Sequence, residues 1–288
     1  MVAHRLKHEH GMNPLCVKWA PFVYTDIGFQ NFNNFVQSGF DCMVMWPNGI
    51  IHRKLSRLAF EFKGDAWEPF AYGQLCYAMH MAVRFNIPLV MFGENGEALY
   101  GGDPAANDKR CWDYADWDRV YLKGSGVARL VEIGRGLGAL SDADIRSISE
   151  FYSLPAREKL AGVEWHWWSY YRPWWPMDNF YYATEHTGFA PNAERSESTF
   201  TKYASLDDKL DPFHYWMAYR KFGIGRATSD ASQQIRAGDL TRAEGVELVR
   251  KYESEFPARH YELFKEYIGV DDDQFAAVER RYGCSAAV

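Results

Sequence analysis

Apolar and polar positions set two regimes along this chain. In the first half, short apolar runs alternate with stretches whose apolar residues recur every three to four positions. Residues 14–19 read as a strand. A helix follows over 27–37, with Asp26 as cap and Gly39 as stop. Residues 40–46 form a second strand, closed by the turn Pro47-Asn48-Gly49. Ile51, Leu55, Leu58, Ala59 and Phe62 make a helical stripe over 50–62. Another helix spans 71–85, and residues 87–92 form a strand that ends abruptly in Gly93-Glu94-Asn95-Gly96-Glu97. Such alternation predicts an α/β fold, a parallel sheet with helices on both faces. Ligands in such sheets sit beyond the carboxyl ends of the strands. That rule selects the loops 19–26, 46–49 and 93–102. The last is the most polar, with Glu94, Asn95 and Glu97, although Gly and Asn there also suit a plain turn.

The second half reads as mainly helical. Ser141 with Asp144 and Thr241 with Glu244 are capping boxes, opening helices towards Tyr152 and Tyr252. Further helices are expected over 212–222, 258–268 and 272–282, and residues 192–211 are a polar, charged stretch. No internal repeat or linker is visible. A division near residue 125 gives an α/β region, 1–125, and a helical region, 126–288. The exception to all periodicity lies between Trp165 and Tyr182, where ten of eighteen residues are Trp, Tyr or Phe. The run fits no single element with one buried face. It suits either a platform or lid over a ligand or an irregular aromatic core.

Composition narrows the classes. Apolar content of 47% and charged content of 24% over 288 residues are those of a globular chain able to bury a full core. The net charge of −6 argues against a general nucleic-acid binder. Cys16, Cys42, Cys76, Cys111 and Cys284 include no C-x-x-C pair, which suits a reducing cytoplasm and offers no metal spacing. No apolar run approaches the ~18 residues of a membrane span, and the start carries no secretory pattern. A cytoplasmic protein without membrane or nucleic-acid partner is expected.

Three clusters carry candidate chemistry. Lys221 and Arg226 flank a turn with Gly223 and Gly225 just ahead of a helix start, which suits phosphate or a plain helix–helix turn. Asp207-Asp208 suits Mg²⁺ held through phosphate, or a solvated acidic turn. His4 and His8 share a helix face but lack further ligands, so no metal site is expected. Residues 1–10, stopped by Gly11, read as the second half of a helix with nothing ahead to cap it.

Several ordered strings together resemble the N-acetyl sugar amidotransferase family of PP-loop ATP pyrophosphatases, which act in bacterial surface-polysaccharide (O-antigen, lipopolysaccharide) and flagellin-glycan pathways. They are Gly93-Glu94-Asn95-Gly96-Glu97 with Tyr100-Gly101-Gly102, then Glu185-His186-Thr187-Gly188-Phe189 with Asn192 and Arg195. Next come Lys202 through Lys209, Lys221 through Thr228, and Asp230-Ala231-Ser232 with Ile235-Arg236. Thr241 through Gly245, Leu248-Val249 and Phe256-Pro257 complete them. The resemblance runs over nearly the whole chain. It implies a PP-loop, HUP-like nucleotide-binding domain. The family's Ser-Gly-Gly-Lys-Asp-Ser loop, which precedes the helix at residue 1, and its N-terminal cysteine cluster have no counterpart here. Region 1–125 is thus expected to lack its first strand and phosphate loop, and this chain to bind ATP poorly. Zinc enters only if a cysteine cluster lies upstream.

The chemistry implied is conversion of a sugar N-acetyl group to an acetamidino group. ATP adenylates the amide oxygen, and ammonia from a glutaminase partner displaces AMP. On this reading Glu94, Asn95 and Glu97 line the reaction centre, and Lys221 and Arg226 stabilise pyrophosphate. ATP with Mg²⁺ meets Trp19, Ala20, Phe40, Asp41, Gly93, Gly223 and Gly225. The sugar nucleotide, or a related N-acetyl sugar, meets Trp167, Trp168, Tyr170, Trp174, Trp175, His186, Arg195, Lys202, Asp208 and Lys209. A competing reading is a non-catalytic scaffold that binds the nucleotide sugar or docks the glutaminase. A third, tRNA modification, is disfavoured by the acidic charge.

Overall fold

The structure is a computed structural model that describes residues 1–100 and 102–284; Gly101 of the Tyr100–Gly102 string and residues 285–288 lie outside the described residues. In chain order the first half runs α1 (Val2–His8), β1 (Cys16–Trp19), α2 (Asp26–Gln37), β2 (Cys42–Met45), α3 (Gly49–Lys63), α4 (Glu68–Phe85) and β3 (Leu89–Phe92). Short helices α5 (Gly96–Leu99), α6 (Pro104–Asn107) and α7 (Tyr114–Asp116) lead to α8 (Gly126–Gly136) and α9 (Asp142–Arg146). The aromatic run then forms β4 (Glu164–Trp167), α10 (Trp168–Tyr171) and the start of α11 (Pro176–Thr187). Helices α12 (Asp211–Phe222), α13 (Arg226–Ala237), α14 (Arg242–Tyr252), α15 (Tyr261–Ile268) and α16 (Asp272–Tyr282) finish the chain.

Local chemistry explains most of these boundaries. Thr25, one residue before the expected cap, accepts from Gly28 N–H and starts α2, and Asn48 caps α3. Both expected capping boxes form, at Ser141 and Thr241. The Ser141 helix ends at Arg146 rather than reaching Tyr152, which sits in a separate 3-10 turn, Glu150–Tyr152.

The strands pair as parallel strands should after helical crossovers. Cys16 lies opposite Cys42 and Trp19 opposite Met45; Leu89 lies opposite Glu164 and Phe92 opposite Trp167. The expected single sheet is instead two separate two-stranded parallel sheets, β1–β2 and β3–β4. Helix α4, buried almost all round, lies against both. Its Tyr72 and Cys76 join Trp19, Leu55 and Leu130 in one core. Its Leu75 and Met79 join Trp112, Trp117, Trp165 and Trp167 in another. A third core gathers Phe60 of α3 with Phe213, Met217, Phe264 and Phe275 of the terminal helices. Among the described residues no helix is long and apolar enough to cross a membrane.

The polar stretch after α11 is a strap, tied to the loop that leaves β1. Thr25 N–H donates to Asp207 O (3.3 Å) and Lys209 N–H to Val23 O (2.9 Å). The contact works because residue 28 is glycine: a Cβ there would sit 2.4 Å from Asp207 Cα and 2.8 Å from Leu206 O. Both neighbours are backbone and cannot swing aside. Gly28→Ala is therefore expected to destabilise by about 1–3 kcal/mol, overpacking outweighing the gain in helix propensity. An unchanged denaturant midpoint would show that the strap is loose.

Candidate functional site

The carboxyl end of β3 leads into a polar loop that holds Glu94, Asn95 and Glu97. Gly93 opens the loop, and a Cβ there would come within 2.8 Å of the Trp174 ring, so the missing side chain lets the indole lie on the backbone. Asn95 then locks the loop. Its amide donates to Ala106 O (3.0 Å) and Asn107 O (3.2 Å), and its oxygen accepts from Glu97 N–H (3.1 Å). The Glu97 carboxylate accepts from Asp103 N–H. Asn95 and Glu97 thus shape the loop, which leaves Glu94 to face outward from it.

Glu94 accepts from the Tyr100 hydroxyl (3.0 Å). Burial raises its carboxyl above the usual range, opposed by that hydrogen bond and by the charge of Arg226. Arg226 comes from the opposite side, at the start of α13. It pairs through Nε with Asp230 (3.1 Å) and donates to the Tyr215 hydroxyl of α12. Burial works against the guanidinium, but Asp230, Tyr215, Tyr100 and Asp211 outweigh it and hold Arg226 firmly charged. Burial pushes Tyr100 and Tyr215 well above ordinary phenols, so both remain hydroxyl donors at neutral pH. Asp211 is likewise raised by burial, against the pull of Arg226. Thr199 donates to Asp230 (2.6 Å) and fixes its orientation. One cation and two phenol hydroxyls beside a carboxyl of raised pKa can polarise a carbonyl or amide oxygen while taking or returning a proton.

Lys221 does not join this cluster. It donates to Lys63 O (2.8 Å) on α3, and burial lowers its ammonium pKa despite nearby Asp65. Nor is the α13 amino end open. The Gly225 and Thr228 (2.8 Å) N–H groups both donate to the buried Glu253 carboxylate. Gly223 ends α12 in the left-handed region at φ 70°. A phosphate would have to displace Glu253 to use these donors, so the turn as folded does not fit one.

The other expected residues scatter. Trp19, Ala20 and Phe40 are buried. Trp19 stands at the carboxyl end of β1 whereas Phe40 and Asp41 precede the amino end of β2, so one ligand beyond one sheet end cannot meet both. In the aromatic run, Trp165 and Trp167 are core, and Trp168 is buried with them. Tyr170, Trp174 and Trp175 line a cleft of about 210 Å³ with Leu99 and Asn107.

His186 stacks on His4 at 5.0 Å. Arg195 is held by both oxygens of Glu255 at 2.6 Å, and Lys202 donates to Ala193 O (2.7 Å). Asp208 is buried under the β1 loop, where it accepts from Phe22 and Leu210 N–H (2.9 Å to Leu210), and burial drives its carboxyl well above the usual range. Its neighbour Asp207 pairs with Lys18 at 3.6 Å. Among the described residues no group of three or more His, Cys, Asp or Glu is placed to hold a metal ion.

Arg226, Asp230 and Glu253 all lie in one recognisable stretch. Residues 197–284 match the family model described as LPS biosynthesis protein WbpG-like, C-terminal domain. The match covers less than a third of the chain and spans α12 to α16. It ties this helical segment to LPS biosynthesis. No curated protein matches the chain.

Within the WbpG-like segment, Asp211, Tyr215, Asp230 and Glu253 were not expected at the site. The Arg226–Asp230 pair carried a signal, an i,i+4 spacing that makes neighbours on a helix. Glu253 lies beyond the next helix, and only the packing of α13 on α14 brings it to Gly225.

Proposed function

We propose that the chain serves LPS biosynthesis by acting on an N-acetylated sugar at the carboxyl end of β3. The carrying observation is that the charge of Arg226, in the WbpG-like segment, acts on Glu94 of the β3 loop, which the Tyr100 hydroxyl meets at 3.0 Å. The reaction is the one the family resemblance implies, conversion of N-acetyl to acetamidino with ammonia supplied by a glutaminase. Arg226, with the Tyr100 and Tyr215 hydroxyls, polarises the acetamido oxygen, and Glu94 carries the proton. Tyr170, Trp174 and Trp175 supply apolar faces for the ring. ATP is the activating substrate of that chemistry, but the turn at Gly223–Gly225 does not fit its phosphates while Glu253 holds the donors. That same filled turn favours a second reading, a scaffold that binds the sugar without turnover.

Titration with UDP-N-acetylglucosamine and, separately, ATP, followed by tryptophan fluorescence, tests both readings. Saturable binding of the sugar nucleotide is expected, weakened at least tenfold in Trp174→Ala, about 1.4 kcal/mol. Formation of AMP and an acetamidino sugar in the presence of glutaminase and glutamine supports the amidotransferase. Sugar binding with no ATP binding supports the scaffold, and failure to bind the sugar overturns both.

A further inference from the structure

Two free thiols sit side by side at the amino end of the β1–β2 pair. Cys16 and Cys42 stand directly opposite one another in the parallel register. The ladder is already closed there, since Cys16 N–H donates to Asp41 O (2.9 Å). Val17, Trp19, Met43 and Met45 pack into the core around α4. Alternation along each strand therefore turns Cys16 and Cys42 together to the other face of the pair. That is the face of α2, where the Lys18 ammonium lies 4.9 Å from the centre of the Phe32 ring. The two thiols hydrogen-bond to one another. Paired strands lie about 4.8 Å apart, within the Cα separation of about 4.4–6.8 Å that a disulfide bridges. A bond between these two sulfurs thus needs no change of register.

Their surroundings also set an order of reactivity. Both residues are part exposed, whereas Cys76 is sealed in the α4 core at 1%. Burial raises both thiols above the ordinary range, Cys16 to about 12. The shared hydrogen bond separates them, because it raises Cys16, which donates, and lowers Cys42, which accepts. Asp41 and Lys18 act on Cys42 in opposite senses. Cys42 is therefore the easier of the two to ionise, and the thiolate is the form that attacks.

We propose that Cys16 and Cys42 form a reversible dithiol–disulfide site for low-molecular-weight disulfides, a covalent staple between β1 and β2. The Cys42 thiolate attacks one sulfur of the small disulfide, and the displaced thiolate takes up the proton that Cys42 has lost. Cys16 then gives up its proton and attacks the Cys42 sulfur of the mixed disulfide, expelling the second small thiol. Two electrons pass from the protein dithiol to the reagent. One small disulfide is consumed, two small thiols are released, and the Cys16–Cys42 bond is formed. A dithiol reductant reverses the sequence. The ring so closed holds α2 and the Thr25 loop that ties the strap at Asp207. The inference rests on the strand register and the contact between the thiols, and is independent of the proposed activity.

Oxidised glutathione, added to the native chain, is the probe. Peptide mapping without reductant is expected to find Cys16 joined to Cys42, and dithiothreitol to restore both thiols. Cys16→Ser removes the resolving sulfur, so Cys42 should then hold one glutathione as a stable mixed disulfide. In Cys42→Ser, Cys16 should take up glutathione at least tenfold more slowly. Glutathione retained on Cys42 of the parent, or no modification of either residue, would overturn the site. Equal rates in the two single variants would overturn the order of attack. The oxidised parent should melt about 5 °C above the reduced parent, a shift absent from Cys16→Ser treated in the same way. A parent Tm unchanged or lowered on oxidation would overturn the staple.

Discussion

Arg226→Ala is expected to cost about 3–5 kcal/mol of stability near neutral pH, the range for removing one partner of a buried ion pair. The guanidinium side chain is 16% exposed and that of Asp230 is 9% exposed. Its loss leaves Asp230 buried with threonine hydroxyls for company and takes the compensating cation from Glu94 and Asp211. Arg226→Met, which keeps most of the volume, separates charge from packing. If charge dominates, both variants lose stability similarly, and both recover part of it towards acid pH, where Glu94 and Asp211, with carboxyl pKa values already raised by burial, protonate. Chemical denaturation at two pH values measures this. Midpoints within about 0.5 kcal/mol of the parent would mean that the cluster does not depend on its cation. Sugar-nucleotide binding by whichever variant folds then tests the site itself.

A second large effect is expected from His52. It is buried on α3 beneath Trp19 and Phe22, with Nδ1 2.8 Å from the Tyr152 hydroxyl and no partner for Nε2 among the described residues. Burial alone lowers its pKa to about 3. The unfolded chain, titrating near the ordinary value of about 6.5, binds more protons than the fold between those two pH values. Stability is therefore complete above pH 6.5 and lost progressively as the pH falls to about 3. The loss is on the order of 5 kcal/mol. Other carboxylates share the acid limb, Asp65 among them, whose pairing with His214 outweighs its burial. The difference between the parent and His52→Gln isolates the histidine: the variant should show a shallower fall between pH 6.5 and pH 4. Parallel curves would mean that His52 is protonated in the fold.

Much of the architecture was legible because it is local. Ser141 and Thr241 announce helix starts through side chains that reach backbone N–H groups three residues away, whereas Asn48, which reads as part of a turn, caps α3. The apolar stripe of α3 follows from the helical repeat. Strand β4 was not legible. Glu164–Trp167 alternates Glu, Trp, His, Trp over only four residues, too short to stand out from the aromatic residues after it, which belong to other elements. Trp167 therefore read as platform when it is core. Tyr170 is exposed and Trp174 half-buried, since a run this dense in rings cannot bury them all.

At the site, chain proximity misled. Lys221 and Arg226 are five residues apart in sequence, yet the left-handed stop at Gly223 sends their side chains to different clusters. Asp41 and Trp19 both flank strands, but at opposite ends of the β1–β2 pair. The sequence by itself determined the parallel pairing, the caps and the polar loop after β3, since each depends on contacts within a few residues or on a repeat that any face must satisfy. Only the tertiary structure decided that Glu253 fills the α13 turn, that the charge of Arg226 reaches Glu94, and that the strands form two separate pairs. Those outcomes depend on which distant faces meet, and burial and charge pairing act there through space, irrespective of separation along the chain.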